Sequence, residues 1–140
     1  MTLIVDAGPL VSMAERGSAT GQACHRLIQE EPGEVVLPAY VAAEADYLIL
    51  SRLGAGAERL FLRDLASGAY SIEALTQDEQ ALAVDLDERY PGLGLADLSM
   101  ILLAARHRTT RILTFDERDF RRARPLVGEA FVVLPADEPA

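Results

Sequence analysis

The sequence predicts an α/β fold: a mostly parallel sheet covered by helices on both faces. Three observations predict it. Short apolar runs recur along the chain, among them Leu3-Ile4-Val5, Val35-Val36-Leu37 and Val132-Val133-Leu134. Segments of helical length and periodicity separate them. Strands that alternate with helices pair in parallel, because the helix carries the chain back across the sheet. Five such runs make the expectation a three-layer α/β/α sandwich with a mostly parallel five-stranded sheet, one domain over residues 1–140.

In chain order, Thr2–Val5 reads as a buried strand ending at Asp6. Gly8-Pro9 then starts a helix, with Pro in the first turn, where its missing N–H costs nothing. A second helix over about Gln22–Gln29 stops near Pro32-Gly33. Val35–Leu37 is the next strand, and Pro38 opens an apolar helix to about Arg52. The segment Gly54–Ser67 carries a further helix, with Leu60, Leu62 and Leu65 among its apolar positions. Tyr70–Ile72 is a weak strand. Thr76 and Glu79 have capping-box spacing and start a helix reaching about Tyr90. Pro91-Gly92-Leu93-Gly94 is the clearest loop. Leu95–Arg106 is helical, Arg111–Thr114 is a strand, and Phe131–Leu134 is the last strand. There is no repeat and no low-complexity tract.

Half of the residues are apolar, which fits a compact domain with a real core. One cysteine, Cys24, offers neither a disulfide framework nor a thiolate metal site. No basic region precedes an apolar run at the N-terminus, so no secretory leader is expected and the cytoplasm is the expected location. The chain has 13 Arg, no Lys and 22 acidic residues, for a net charge of −9. Residues 104–125 invert that sign: seven arginines face three acids, a net of +4, and the remainder carries −13. A basic segment on an acidic body suits local phosphate contact rather than general polyanion binding. Arg118, Arg121 and Arg122 are the candidate phosphate contacts, and a solvated helix face is the plainer reading of each.

Four acids interrupt or end apolar segments. Asp6 follows a strand directly; it has the character of a helix cap, but Gly8 is better placed for a helix starting at Pro9. Glu44 shares a helix face with Val41 and Leu48, where a carboxylate is costly unless a cation or donors meet it. Asp46, on another face, reads as solvated. Asp97 lies in a first helical turn, where the macrodipole favours it. Asp116 follows a strand and is positioned to cap a short helix containing Asp119. Each has a structural explanation alone. Together they change meaning, because a parallel sheet brings strand ends and helix starts to one edge, where such sheets bind ligands.

Clustered carboxylates repel unless a cation neutralises them or some stay protonated. Oxygen ligands without His or Cys suit Mg²⁺ or Mn²⁺. Such ions activate water and stabilise charge on a phosphodiester, with no nucleophilic side chain required. Competing chemistries lack their residues. His25 and His107 lie in helical patterns away from strand ends, no serine has Gly-x-Ser-x-Gly context, and a P-loop needs a lysine. Response-regulator-like and haloacid-dehalogenase-like sites also need one.

The segments Ile4–Leu10, Val41–Leu48, Leu95–Ala104 and Ile112–Phe120 resemble the four conserved blocks of PIN-domain nucleases, in the family's order, with similarity from about residue 2 to 134. Among these the chain is most similar to VapC-type toxins. The resemblance implies a sheet in order 3-2-1-4-5. It implies that Asp6, Glu44, Asp97 and Asp116 are the catalytic, metal-binding acids, with Glu44 at a second ion or acting through water and Asp119 a weaker ligand. The cofactor is then Mg²⁺ or Mn²⁺, and metal-activated water hydrolyses RNA, usually tRNA or an rRNA loop, to leave 5′-phosphate and 3′-hydroxyl ends. A cognate antitoxin whose tail covers the acidic pocket is the implied partner, and a homodimer is expected. Many relatives carry Ser or Thr where this chain has Gly8, so Thr114 or Ser99 is expected to supply the missing hydroxyl. Two other readings use the same residues: an inactive PIN-like binding module, and an RNA-processing nuclease with no antitoxin.

Overall fold

The computed structural model describes residues 1–139. Its elements run β1 (Leu3–Val5), α1 (Ala7–Ala14), α2 (Ala19–Glu30), β2 (Val35–Pro38), α3 (Ala39–Leu53), α4 (Ala55–Ala66), β3 (Ser71–Glu73), α5 (Gln77–Arg89), α6 (Leu95–Arg106), β4 (Arg111–Leu113), α7 (Glu117–Arg122) and β5 (Val132–Leu134). The five strands form one sheet in the order β3-β2-β1-β4-β5, and every neighbouring pair is parallel. The α/β class, the parallel sheet and its order are as the sequence predicts.

The order matters for function. From β1 the chain winds outward through β2 and β3, then returns to the other side of β1 for β4 and β5. The direction of winding therefore reverses between β1 and β4, and the connections leaving their carboxyl ends part to open a crevice. Asp6 leaves β1 at that point, and its amide still donates to Leu113 O of β4 at 2.9 Å. Asp116 lies three residues after β4.

The central strands are buried on both faces: β1 is wholly inaccessible to solvent, and Val36, Leu37, Ile112, Leu113 and Val133 are equally closed, while the edge strand β3 is more open, with Ile72 exposed. α6 is the buried helix of the domain, with Leu98 to Ala104 all buried. Its apolar run covers the sheet while Asp97 projects from the first turn.

Two boundaries move from their expected places. α1 begins at Ala7, because Asp6 rather than Gly8 is its cap: Asp6 Oδ1 accepts from the Ala7 amide at 2.7 Å. α2 begins at Ala19, where Ser18 caps it through the Gly21 amide at 3.0 Å. Gly21 lies inside a helix for a packing reason. A Cβ there would stand 2.2 Å from the Ser12 carbonyl oxygen, so only glycine lets α1 and α2 approach this closely. In α4 it is Phe61 that faces the core, while Leu60 and Leu62 stay exposed. The predicted capping box at Thr76 and Glu79 forms, with both reciprocal bonds present. No helix among the described residues is long and apolar enough to cross a membrane.

Candidate metal centre

Asp6, Glu44, Asp97 and Asp116 line one cleft of about 500 Å³, together with Gly8, Leu48 and residues 93–96. Four elements deliver them: the end of β1, the middle of α3, the first turn of α6 and the cap of α7. Asp119 joins them from α7. Carboxylate oxygens of Asp97, Asp116 and Asp119 all lie within 4.8 Å of one another. Asp119, the weakest of the sequence candidates, thus belongs to the tightest group of acids.

Asp6 is buried and its hydrogen bonds are specific. Oδ1 accepts from the Ala7 amide, and Oδ2 accepts from the Thr114 hydroxyl at 2.6 Å. The same Thr114 oxygen accepts from the Asp116 amide at 3.0 Å. One hydroxyl therefore fixes the Asp6 carboxylate and the backbone that carries Asp116. Ser99 donates instead to the Ala96 carbonyl of its own helix at 2.6 Å. Of the two hydroxyls expected to compensate for Gly8, Thr114 takes the part. Asp116 also caps α7, accepting from the Asp119 amide at 3.1 Å. Glu44 is exposed rather than sunk in the α3 stripe, and it reaches the cleft from the rim. Asp46 departs from its expected solvation: one carboxyl oxygen is shielded and unpartnered, and the close approach of the two carboxyls raises Glu58, through a shared hydrogen bond first, then burial and the Asp46 charge.

The electrostatics have one sign. Asp97 is pushed up to about 8 by burial first, then by the charges of Asp6, Asp116, Asp119 and Glu44. Burial raises Asp6 despite its two donors. Burial and the Asp6 charge raise Glu44. Asp119 is raised by burial and by Asp116, with Arg122 and Arg118 pulling the other way. Acids held this close favour either a shared proton or a cation. The donors are all hard oxygens, so the residues fit a divalent cation of the Mg²⁺ or Mn²⁺ type.

The histidines lie elsewhere. His107 Nε2 is 2.7 Å from Glu73 Oε1 at the far end of α6. His25 lines a larger concavity of about 880 Å³ bounded by α1 and α4. That concavity has arginines Arg16, Arg59 and Arg63 against the single acid Asp64, so it repels rather than gathers a divalent cation.

Of the candidate RNA contacts, Arg121 is occupied by Asp137 in two hydrogen bonds of 2.8 and 2.5 Å. Arg122 reaches Asp119 at 3.5 Å. Arg118 forms no ion pair among the described residues. The Arg121–Asp137 and Arg106–Glu73 pairs were missed from the sequence, where separations of 16 and 33 residues give no local signal.

The PIN domain family model matches residues 3–125. The chain belongs to the PIN-domain family. Over 135 residues it is 34% identical to ribonuclease VapC26 of Mycobacterium tuberculosis, spanning 95% of this chain and all of that relative. Solved PIN-fold structures agree with the architecture at low identity. The M. tuberculosis toxin VapC20, described as cleaving the sarcin-ricin loop, superposes with TM-score 0.73 and 19% identity, covering 84% of this chain and 92% of its own. VapBC2 from Rickettsia felis, bound to a promoter DNA fragment, gives TM-score 0.64 at 16% identity, over 91% and 96% of the two chains. A toxin–antitoxin complex from Klebsiella pneumoniae gives TM-score 0.64 at 18% identity, over 84% and 89%. The four acids of this PIN domain are those of the sequence blocks that resemble the family, now grouped at one sheet edge.

Proposed function

We propose that this PIN domain is a Mg²⁺- or Mn²⁺-dependent endoribonuclease, the toxin half of a toxin–antitoxin pair, and that Asp6, Glu44, Asp97, Asp116 and Asp119 form its active site. The observation that carries the reading is the five-acid cleft, in which burial and like charge raise Asp97 to about 8. Such a cluster is costly to fold and is relieved by a cation.

Asp97, Asp116 and Asp119 would hold the ion, with Asp6 and Glu44 adding charge from the cleft wall. Thr114 keeps Asp6 in one rotamer. A bound divalent cation supplies charge neutralisation for the scissile phosphate and acidity for an attacking water. Glu44, its carboxyl raised by burial and by the Asp6 charge, stands on the cleft rim where it can accept a proton.

RNA is the substrate this reading assigns, in line with the ribonuclease relative, and a tRNA or an rRNA loop is the expected target. Arg118, Arg121 and Arg122 remain the nearest basic side chains along the α7 face. Their joint replacement by Gln is expected to weaken RNA binding and flatten its salt dependence, with Arg118 contributing most because the other two are paired. A partner antitoxin with a basic tail suits the acidic cleft, where an Arg competes with the cation for the same oxygens. The protein acts in the cytoplasm, and as a homodimer.

The test is cleavage of total RNA with mapping of the new ends. Mg²⁺ is expected to support cleavage leaving 5′-phosphates, EDTA to stop it, and Asp97→Asn and Asp116→Asn to lower it sharply. Full activity in excess chelator sinks the metal mechanism.

A further inference from the structure

We propose that Phe115 is a stacking platform for a nucleobase of single-stranded RNA, the base next to the phosphodiester held at the acid cluster; this rests on the nuclease reading above. Three of the four phenylalanines are core residues: Phe61, Phe120 and Phe131 are 5%, 2% and 4% exposed. Phe115 is 42% exposed. Exposure alone singles out no residue, since Tyr47 and Leu60 are more exposed; what distinguishes Phe115 is an open aromatic ring between two residues of the acid site, Thr114 and Asp116.

The ring is held in place. Thr114 on one side is locked to Asp6, and Asp116 on the other caps α7. The Phe115 carbonyl accepts from the Glu117 amide at 3.1 Å. The ring edge is seated on Gly8: a Cβ at that position would stand 3.1 Å from Phe115 Cδ2. Glycine at position 8 therefore makes room for the ring where a larger residue would crowd it. Gly8 and Asp116 both line the cleft, and Phe115 packs against the first and directly precedes the second, which places it next to the acids. Leu95, 45% exposed, also lines the cleft and adds a second apolar surface.

Charge supplies the reason for such a platform. The chain carries −9, and Arg121 and Arg122 are engaged with Asp137 and Asp119. Phosphate contacts alone are a poor way for this surface to hold RNA. An aromatic face attracts any base irrespective of backbone charge. The ligand class is accordingly single-stranded, base-bearing RNA, with little dependence on sequence.

The chain has no tryptophan, so Phe115→Trp creates a single fluorescent reporter that keeps a ring, while Phe115→Leu removes it. Both full-length variants are titrated with oligo-adenylate, oligo-uridylate and an abasic ribose-phosphate strand, with Ca²⁺ replacing Mg²⁺ to slow cleavage. The Trp emission is expected to be quenched saturably by the base-bearing strands and not by the abasic one. Phe115→Leu is expected to bind base-bearing strands about 5- to 150-fold more weakly and the abasic strand as wild type does. Unchanged binding of base-bearing RNA by Phe115→Leu, or equal weakening of the abasic strand, overturns the platform. So does a loss confined to binding of a protein partner. In each of these cases wild-type cleavage of RNA in Mg²⁺ leaves the nuclease reading standing. A wild-type protein that neither binds nor cleaves RNA removes both.

Discussion

The two ends of α6 treat carboxylates in opposite ways. At its N-terminus Asp97 sits among Asp6, Asp116, Asp119 and Glu44, and its carboxyl is pushed up to about 8 by burial and like charge. Nine residues on, about 14 Å along the axis, Glu73 and Glu79 meet Arg106 and His107. Arg106 donates to Glu73 Oε1 at 3.0 Å, to Glu79 and to the Ala74 carbonyl. Glu79 falls below its ordinary value chiefly through Arg106. Glu73 also falls: burial pushes it up, but hydrogen bonds from His107 and Ser71 outweigh that. One end is balanced by the chain's own cations. At the other only Asp119 meets a cation, Arg122, and the rest is left for something outside the chain to balance; that asymmetry supports the proposed site more strongly than the acids themselves do.

The largest effect expected to sharpen the contrast is on turnover. Asp97→Asn and Asp116→Asn should each lower RNA cleavage by about two to three orders of magnitude, since on the proposed function they remove charge that would hold the cation at the scissile phosphate. Glu73→Gln should leave turnover within about twofold. A cleavage assay that ranks Glu73→Gln with the aspartate variants would erase the distinction between the two ends.

Next comes the pH dependence of stability in EDTA. The folded Asp97 carboxyl titrates near 8, well above its unfolded value, so the folded state holds the extra proton between those values. Its contribution is fully present at low pH and is lost as pH rises through about 8. Thermal melts of the metal-free protein should therefore show Tm falling from mildly acidic pH to about 8, and Asp97→Asn should flatten that slope. At the other end the sign reverses: Glu73 stabilises above its unfolded value, and that contribution is lost as acid protonates it. Glu73→Gln should lower stability at neutral pH by about 1 kcal/mol, and by less in acid.

Smaller again is Thr114→Val. It leaves the buried Asp6 carboxylate one donor short and the Asp116 amide without its acceptor, at a cost of about 1–3 kcal/mol. It should also raise Asp6 further, because the Thr114 hydrogen bond holds it down. Denaturant melts of Thr114→Val and Thr114→Ser check this, with serine expected to restore most of the loss. Equal losses for the two would assign the effect to packing.

The fold was legible in the sequence because parallel strands buried on both faces write themselves as short apolar runs, and because Thr76, Pro38 and Gly94 punctuate the helices. The meeting of Asp6, Glu44, Asp97 and Asp116 was legible for a related reason: each stands where a strand ends, or in a helix flanking one, at a single sheet edge. Other features depended on tertiary placement. Asp6 both caps α1 and faces the cleft, so its capping role and its candidate role in the site were never alternatives. Asp119 enters through α7, a helix of six residues whose start is set by Asp116. The cation that balances Glu73, Arg106, comes from another element 33 residues away. Pattern alone cannot separate a paired acid from an unpaired one, and here that separation is what distinguishes structure from site.

The most direct test of the unbalanced end is calorimetric titration of Mn²⁺ into the metal-free protein at pH 7, in buffers of different ionisation enthalpy. Wild type is expected to bind with release of a proton, because Asp97 must give up its own to ligate. Asp97→Asn should bind far more weakly and without that proton, and Glu73→Gln should behave as wild type. Mn²⁺ binding of equal strength in wild type and Asp97→Asn, or none in either, would contradict the account.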